Sequence, residues 1–241
     1  MQTAKQKLKR AAPWLSLLLV LAGLAAVRGL AANYEIGYEI MNGDFQNYNP
    51  GRHLLAGQVP YRDFTVYLGA GELYSVGGLL LVLGNSFGRS MFATNFCTWF
   101  YFELLVLAVC LVVIGTARAA RAAALALCSV FFAYVQGANL PFAGQVNTLL
   151  SYAAANGNSA RMMRSAALTL AVLVILLGLH FWQQDTSRRL LAPAVLVPFA
   201  AGFFVPWSND MGGAAYISIA LGYGLYLIRL YRSSIGKIVV Q

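Results

Sequence analysis

Apolar residues fall into six long runs, at about 13–32, 91–115, 122–137, 165–182, 190–206 and 212–228, and polar or basic clusters separate them. A bilayer helix needs about 20 predominantly apolar residues. The pattern therefore predicts an all-α, polytopic membrane protein of about six transmembrane helices. One stretch breaks the rhythm. Residues 33–89 alternate polar and aromatic positions, with helices predicted at 45–57 and 72–84. The second of these, at about 13 residues, is too short for an ordinary span and reads as an interfacial or re-entrant piece.

Charge placement fixes the predicted topology. With 33–89 as one external loop and 138–164 as a second external segment, the cytoplasmic side carries eleven basic residues, among them Lys5, Arg10, Arg118, Arg121, Arg188 and Arg229. The outer side carries six: Arg28, Arg52, Arg62, Arg89, Arg161 and Arg164. Were 72–84 to span, the clusters at 118–121 and 188–189 would both move outside. The positive-inside rule favours the interfacial reading, with the N-terminus cytoplasmic and the first helix retained.

Composition agrees. The chain of 241 residues is 59% hydrophobic and 10% charged, against about 25% charged in soluble domains. No polar segment is long enough for a separate soluble domain, so 1–241 reads as a single membrane domain. The net charge of +9 is a topology signal and does not call for a nucleic-acid partner. Cys97, Cys110 and Cys128 lie in apolar runs without metal-ligand spacing and read as core residues. Gly-rich phosphate loops, HExxH and nucleophile elbows are absent from the sequence.

Candidate chemistry concentrates at the outer face. Asp44 lies a dozen residues beyond the first run, where a carboxylate could act as general base; it also suits a helix cap before Phe45. Asp210, in PWSNDMGG at the outer end of the fifth run, is either a cavity group or, with Asn209, a turn former. Arg52, His53 and Arg62 form a basic set matched to phosphate oxygens, with Asp63 as the competing partner. Arg28 is a phosphate ligand or a snorkelling residue. Glu103 sits mid-span, where an ionisable group is costly and is either functional or paired inside the bundle. The tyrosines of 33–89 read as a membrane-interface belt.

The order Asp44, then Gly57-Gln-Val-Pro60-Tyr61-Arg62-Asp63-Phe64, then Tyr67-Leu-Gly69, then a short apolar run to Gly84 resembles the first external loop of polyprenyl-phosphate-dependent membrane glycosyltransferases of the GT-C class, such as the protein O-mannosyltransferase-like and aminoarabinose-transferase-like enzymes. The resemblance covers about 1–125. It implies interfacial helices in the loop and sugar transfer from a polyprenyl-phosphate donor to a glycan, lipid or protein acceptor outside a bacterial inner membrane. It also implies Asp44 as the catalytic base, with Arg62 and Asp63 shaping the site. Arg28, Arg52 and His53 are then candidates for the leaving phosphate. The motifs fix no cofactor, and Asp44 and Asp210 could share a divalent cation. Two departures stand beside it. Members have more spans, many with an outer soluble domain, and the usual acidic pair is here the single Asp44. The chain is then a compact member, a truncated N-terminal module or a catalytically silent relative, and the alternatives are a non-catalytic membrane subunit packed on a partner protein or a lipid-linked-sugar flippase or transporter.

Overall fold

The computed structural model describes residues 4–35, 42–135, 161–184 and 191–230. Among the described residues the fold is all-α, without strands. The helices are α1 (Ala4–Glu35), α2 (Asn42–Leu55), α3 (Ala70–Leu83), α4 (Phe87–Ile114), α5 (Ala119–Val135), α6 (Arg161–Gln184), α7 (Leu191–Gly202), α8 (Phe204–Trp207) and α9 (Met211–Leu230). A single 3₁₀ turn, Thr116–Arg118, joins α4 to α5.

Helix α4 is the axis of the bundle, and α1, α2, α3, α5 and α6 all pack on it. At one end Val76 and Leu80 of α3 meet Ala93 and Cys97 of α4 and Met163 of α6. Toward the other end Leu21 of α1, Leu107 and Cys110 of α4, and Ala122 and Ala126 of α5 form a second cluster. The small residues of ARAARAAALALC thus bring α5 against α4 inside this chain. A third cluster joins Leu168 of α6, Val197 and Ala201 of α7, Phe204 of α8 and Ile219 of α9.

The ends of α4 follow from local chemistry. The Ser86 side chain accepts the Arg89 N–H at 3.3 Å, taking one of the donors that a helix start leaves unpartnered. At the far end the Gly115 N–H returns to the Leu111 carbonyl at 2.9 Å.

Two stretches are long and apolar enough to cross a bilayer, Ala11–Leu30 within α1 and Phe87–Ile114. Neither is mostly buried. Leu19, Val27, Val113, Phe131, Phe199, Leu221 and Leu225 all face outward. Soluble monomers rarely expose contiguous apolar surface beyond a few hundred Å², so this exterior suits hydrocarbon.

Three expectations change. The run at 190–206 is not one continuous helix. It divides into α7 and the single turn α8, because Pro206 offers no N–H to the Gly202 carbonyl and its ring crowds that carbonyl. At about 18 Å, α7 is shorter than the hydrocarbon core. The fourth run's helix begins at Arg161 and not near 165, so Arg161 and Arg164 stand in the first turn of α6; residues 138–160 of the second external segment lie outside the described residues. Asp44 is not a cap before a helix beginning at Phe45, because α2 already begins at Asn42. The short run after Ala70 does form a separate 14-residue helix, about 21 Å long.

Candidate functional site

Helix α2, the segment 65–69 and the first turn of α3 enclose a cavity of about 480 Å³. Phe45, Tyr48 and Tyr67 give it aromatic walls, and Gln46, Asn47, Asn49, Arg52 and Glu72 give it polar ones. Of these, Asn47 and Glu72 are almost wholly buried, at 4% and 3% exposed. The Arg52 guanidinium is exposed and donates to Asn49 Oδ1 at 2.9 Å. The cavity therefore has a buried polar floor, an exposed arginine and aromatic sides.

Segment 65–69 is the movable-looking wall, yet it is fastened from behind by residues far along the chain. Asn209 Nδ2 donates to the carbonyls of Val66 at 3.2 Å and Tyr67 at 2.8 Å. Arg164 Nη1 reaches the Leu68 carbonyl at 3.5 Å, Ser208 Oγ at 3.3 Å and Asp210 Oδ1 at 2.5 Å. Gly69, with φ +104°, lets the backbone run so close that a Cβ there would lie 2.6 Å from the Trp207 carbonyl oxygen. Only glycine meets both conditions.

Arg164 is the largest fully buried side chain of the described protein. Its charge is met by Asp210, whose side chain is 56% exposed. Burial pulls the Asp210 carboxyl up. The Ser208 hydroxyl, the Arg164 guanidinium and the backbone N–H groups of Asp210 and Met211 outweigh that and hold it below the ordinary carboxylate range. Glu72 is balanced differently. It lies outside any spanning helix, in the first turn of short α3, and burial pushes its carboxyl up to about 8, with Arg164 opposing and Asp210 adding to the rise. Burial thus favours the protonated form of Glu72 against the opposing Arg164 charge.

The other candidates are placed as follows. Asp44 is the third residue of α2, one position before the cavity-lining Phe45; its side chain lies outside the described residues. Arg62 and Asp63 form a two-pronged ion pair, Nε–Oδ1 at 2.9 Å and Nη2–Oδ2 at 2.8 Å, in an exposed turn away from the cavity. The Val59 N–H also donates to Asp63 Oδ2 at 2.8 Å, and Arg62 first and Val59 second hold the Asp63 carboxyl below its usual range. His53 stacks on Phe64 with ring centroids 5.0 Å apart and hydrogen-bonds Gln58. The Pro60-Tyr-Arg-Asp-Phe64 motif is thus a self-bonded turn braced on α2. Arg28 lies over the Trp99 ring, 5.0 Å from its centroid. Glu103 is fully buried and engaged within the bundle.

Arg52 and Glu72 line the cavity from α2 and α3; Asn209 and Asp210 support it from behind; Arg28, His53, Arg62 and Asp63 stand elsewhere. Asp210 Oδ1 is occupied by Arg164, Ser208 and the Met211 N–H. Among the described residues no three metal-ligating side chains meet. Sequence reasoning passed over Glu72, Arg164 and Ser208. The available signal was an acidic residue opening an apolar run, GELYSVGGLLLVLG, and an arginine opening another, RMMRSAALTLAV. No family model, no curated protein and no solved structure matches the chain.

Proposed function

We propose that the chain is a membrane glycosyltransferase of GT-C type, moving a sugar from a polyprenyl-phosphate donor to an acceptor hydroxyl at the outer face. The observation that supports this reading is the cavity, which pairs aromatic and polar walls with one exposed arginine on α2, the helix that also carries Asp44. Aromatic faces and uncharged hydrogen-bonding groups suit a sugar ring. A guanidinium at the rim suits the phosphate that links the sugar to its lipid. A polyprenyl chain needs hydrocarbon nearby, and the exposed apolar faces of α1 and α4 supply that setting. The six-span topology with a cytoplasmic N-terminus belongs to this reading and places the cavity outside.

In the proposed reaction the acceptor oxygen attacks the anomeric carbon, and the bond from that carbon to the phosphate oxygen breaks. Asp44 takes the acceptor proton as general base. The bond's electron pair leaves with the polyprenyl phosphate, whose charge Arg52 steadies. Displacement from the opposite face inverts the anomeric configuration.

The test is sugar release from a panel of polyprenyl-phosphate sugars by the purified chain in nanodiscs, with Asp44→Asn and Arg52→Gln alongside. Turnover lost in Asp44→Asn, with an unchanged melting profile, supports the mechanism. Turnover unchanged in that variant removes Asp44 as the base. No turnover by the wild type across the panel overturns the transferase reading in favour of a non-catalytic subunit.

A further inference from the structure

Segment 65–69 is held more firmly than its own burial demands. The Val66 and Leu68 side chains are buried, and Tyr67 between them turns outward into the cavity lining, 74% exposed. Three successive carbonyls are bonded from far along the chain, those of Val66 and Tyr67 by Asn209 and that of Leu68 by Arg164. Gly69 closes the segment against the Trp207 carbonyl, and Gly71 lies so near the Trp207 ring that no Cβ fits between them. Burial accounts for only part of this. Asn209 and Tyr67 are both exposed, so water would satisfy the Tyr67 carbonyl without their 2.8 Å bond.

We propose that Tyr67 is the platform on which the sugar ring of the donor stacks, and that Asn209 is a positioning residue that sets this platform through the backbone. The assignment rests on the glycosyl-donor reading of the cavity and adds the residue that meets the sugar face. Among the described residues the Tyr67 ring stacks on no other ring and its hydroxyl makes no hydrogen bond. The other two aromatic residues of the cavity are engaged. Phe45 leans on Phe87 with ring centroids 5.1 Å apart, while Tyr48 meets Phe87 edge-on and donates to Asn85 Oδ1 at 2.9 Å. Tyr67 alone of the three is fixed at its backbone and open at its ring.

The physical logic is preorganisation. The C–H face of a sugar ring is apolar and packs on an aromatic face, leaving the hydroxyls at its edge for polar walls. A loop that had to be ordered at the moment of binding would lose much of that contact to conformational entropy. The clamps on 66–69 meet that cost on folding instead. A tyrosine that only anchored the chain among mobile lipid headgroups would need no such fixing. Asn209 does not line the cavity; it acts on a ligand only through the Val66 and Tyr67 carbonyls.

The experiment is calorimetric binding of farnesyl phosphate and of its mannose, galactose and N-acetylglucosamine conjugates to the full chain in nanodiscs. The readout is the sugar gain, the ratio of affinities with and without the sugar, in which effects on the shared lipid phosphate cancel. At least one sugar should tighten wild-type binding. Tyr67→Ala should lose about three- to tenfold of that gain, the range of one aromatic contact, and Tyr67→Phe and Tyr67→Trp should keep it. Asn209→Ala should lose part of the same gain, with faster amide exchange in 65–69 and unchanged exchange in α4, and Asn209→Gln should recover it. Should Asn209→Ala not fold, Asn209→Asp, which keeps the size and loses the N–H donors, carries the same comparison. A gain of equal size in the wild type and in Tyr67→Ala overturns the platform, as does a wild type that binds all four probes equally. A gain lost in Tyr67→Phe as fully as in Tyr67→Ala overturns stacking. A gain that needs Tyr67 but not Asn209 overturns the positioning role. A Tyr67-dependent gain without turnover supports the platform and overturns the transferase reading. Asp44-dependent turnover with a Tyr67-independent gain does the reverse.

Discussion

Replacing Glu72 by Gln tests the central electrostatic feature of the site without asking for activity. The wild-type carboxyl moves from 4.5 to about 8 on folding, so between these values the folded protein holds a proton that the unfolded chain has lost. Stability then falls as pH rises, with a slope set by the difference in bound protons. The full stability contribution is present below pH 4.5, declines through the interval and is gone above about 8. One pKa unit corresponds to about 1.36 kcal/mol, so the change between pH 5 and pH 8 is about 3 kcal/mol. For a chain of this size that is roughly 6–12 °C in Tm. Glutamine keeps the volume and the hydrogen-bonding groups but cannot titrate, so its profile lacks this component. The assay is thermal unfolding of both proteins in one detergent from pH 5 to pH 8, read as the difference between the two profiles. The Gln variant should gain on the wild type steadily as pH rises. Parallel profiles would refute the reasoning. A wild type that gains on the variant would show Glu72 to be ionised and bound to Arg164.

Three further outcomes follow from the geometry. Arg164→Met removes a buried guanidinium and leaves Asp210, Ser208 and the Leu68 carbonyl without it. Because Asp210 can hydrate, the cost should be about 2–3 kcal/mol, seen in denaturant or thermal unfolding together with faster amide exchange in 65–69. Gly69→Ala places a Cβ in contact with the Trp207 carbonyl at φ +104° and should destabilise by more than about 2 kcal/mol; an unchanged Tm would refute the close approach. Arg62→Ala should leave both Tm and farnesyl-phosphate affinity unchanged, because this exposed arginine is paired with Asp63 away from the cavity, whereas Arg52→Gln should weaken that affinity.

Helix positions were legible in the sequence because apolar run length and basic flanks report on each segment alone. The short run after Ala70 was readable as a separate piece for the same reason. The break at Phe203 was written in Pro198 and Pro206, yet an unbroken apolar count conceals it. The site was harder. Arg62 and Asp63 drew attention as a motif, and their adjacency is what lets them satisfy each other locally. Arg164 and Glu72 looked like a topology marker and a stray acid, since nothing in sequence connects positions 92 residues apart. Their importance arises from burial and from the docking of the 207–210 turn behind segment 65–69, and both are tertiary facts.

That docking also sets an order of events during synthesis. The lining of the cavity, from Phe45 to Leu73, leaves the ribosome long before Arg164 and Asn209 do. Until α6 and the turn before α9 have entered the bilayer and docked, segment 65–69 has neither its carbonyl partners nor the Trp207 surface to rest on. A nascent chain halted near residue 135 would hold every lining residue and still lack a formed site. The supported form of segment 65–69 therefore arrives only with the last helices.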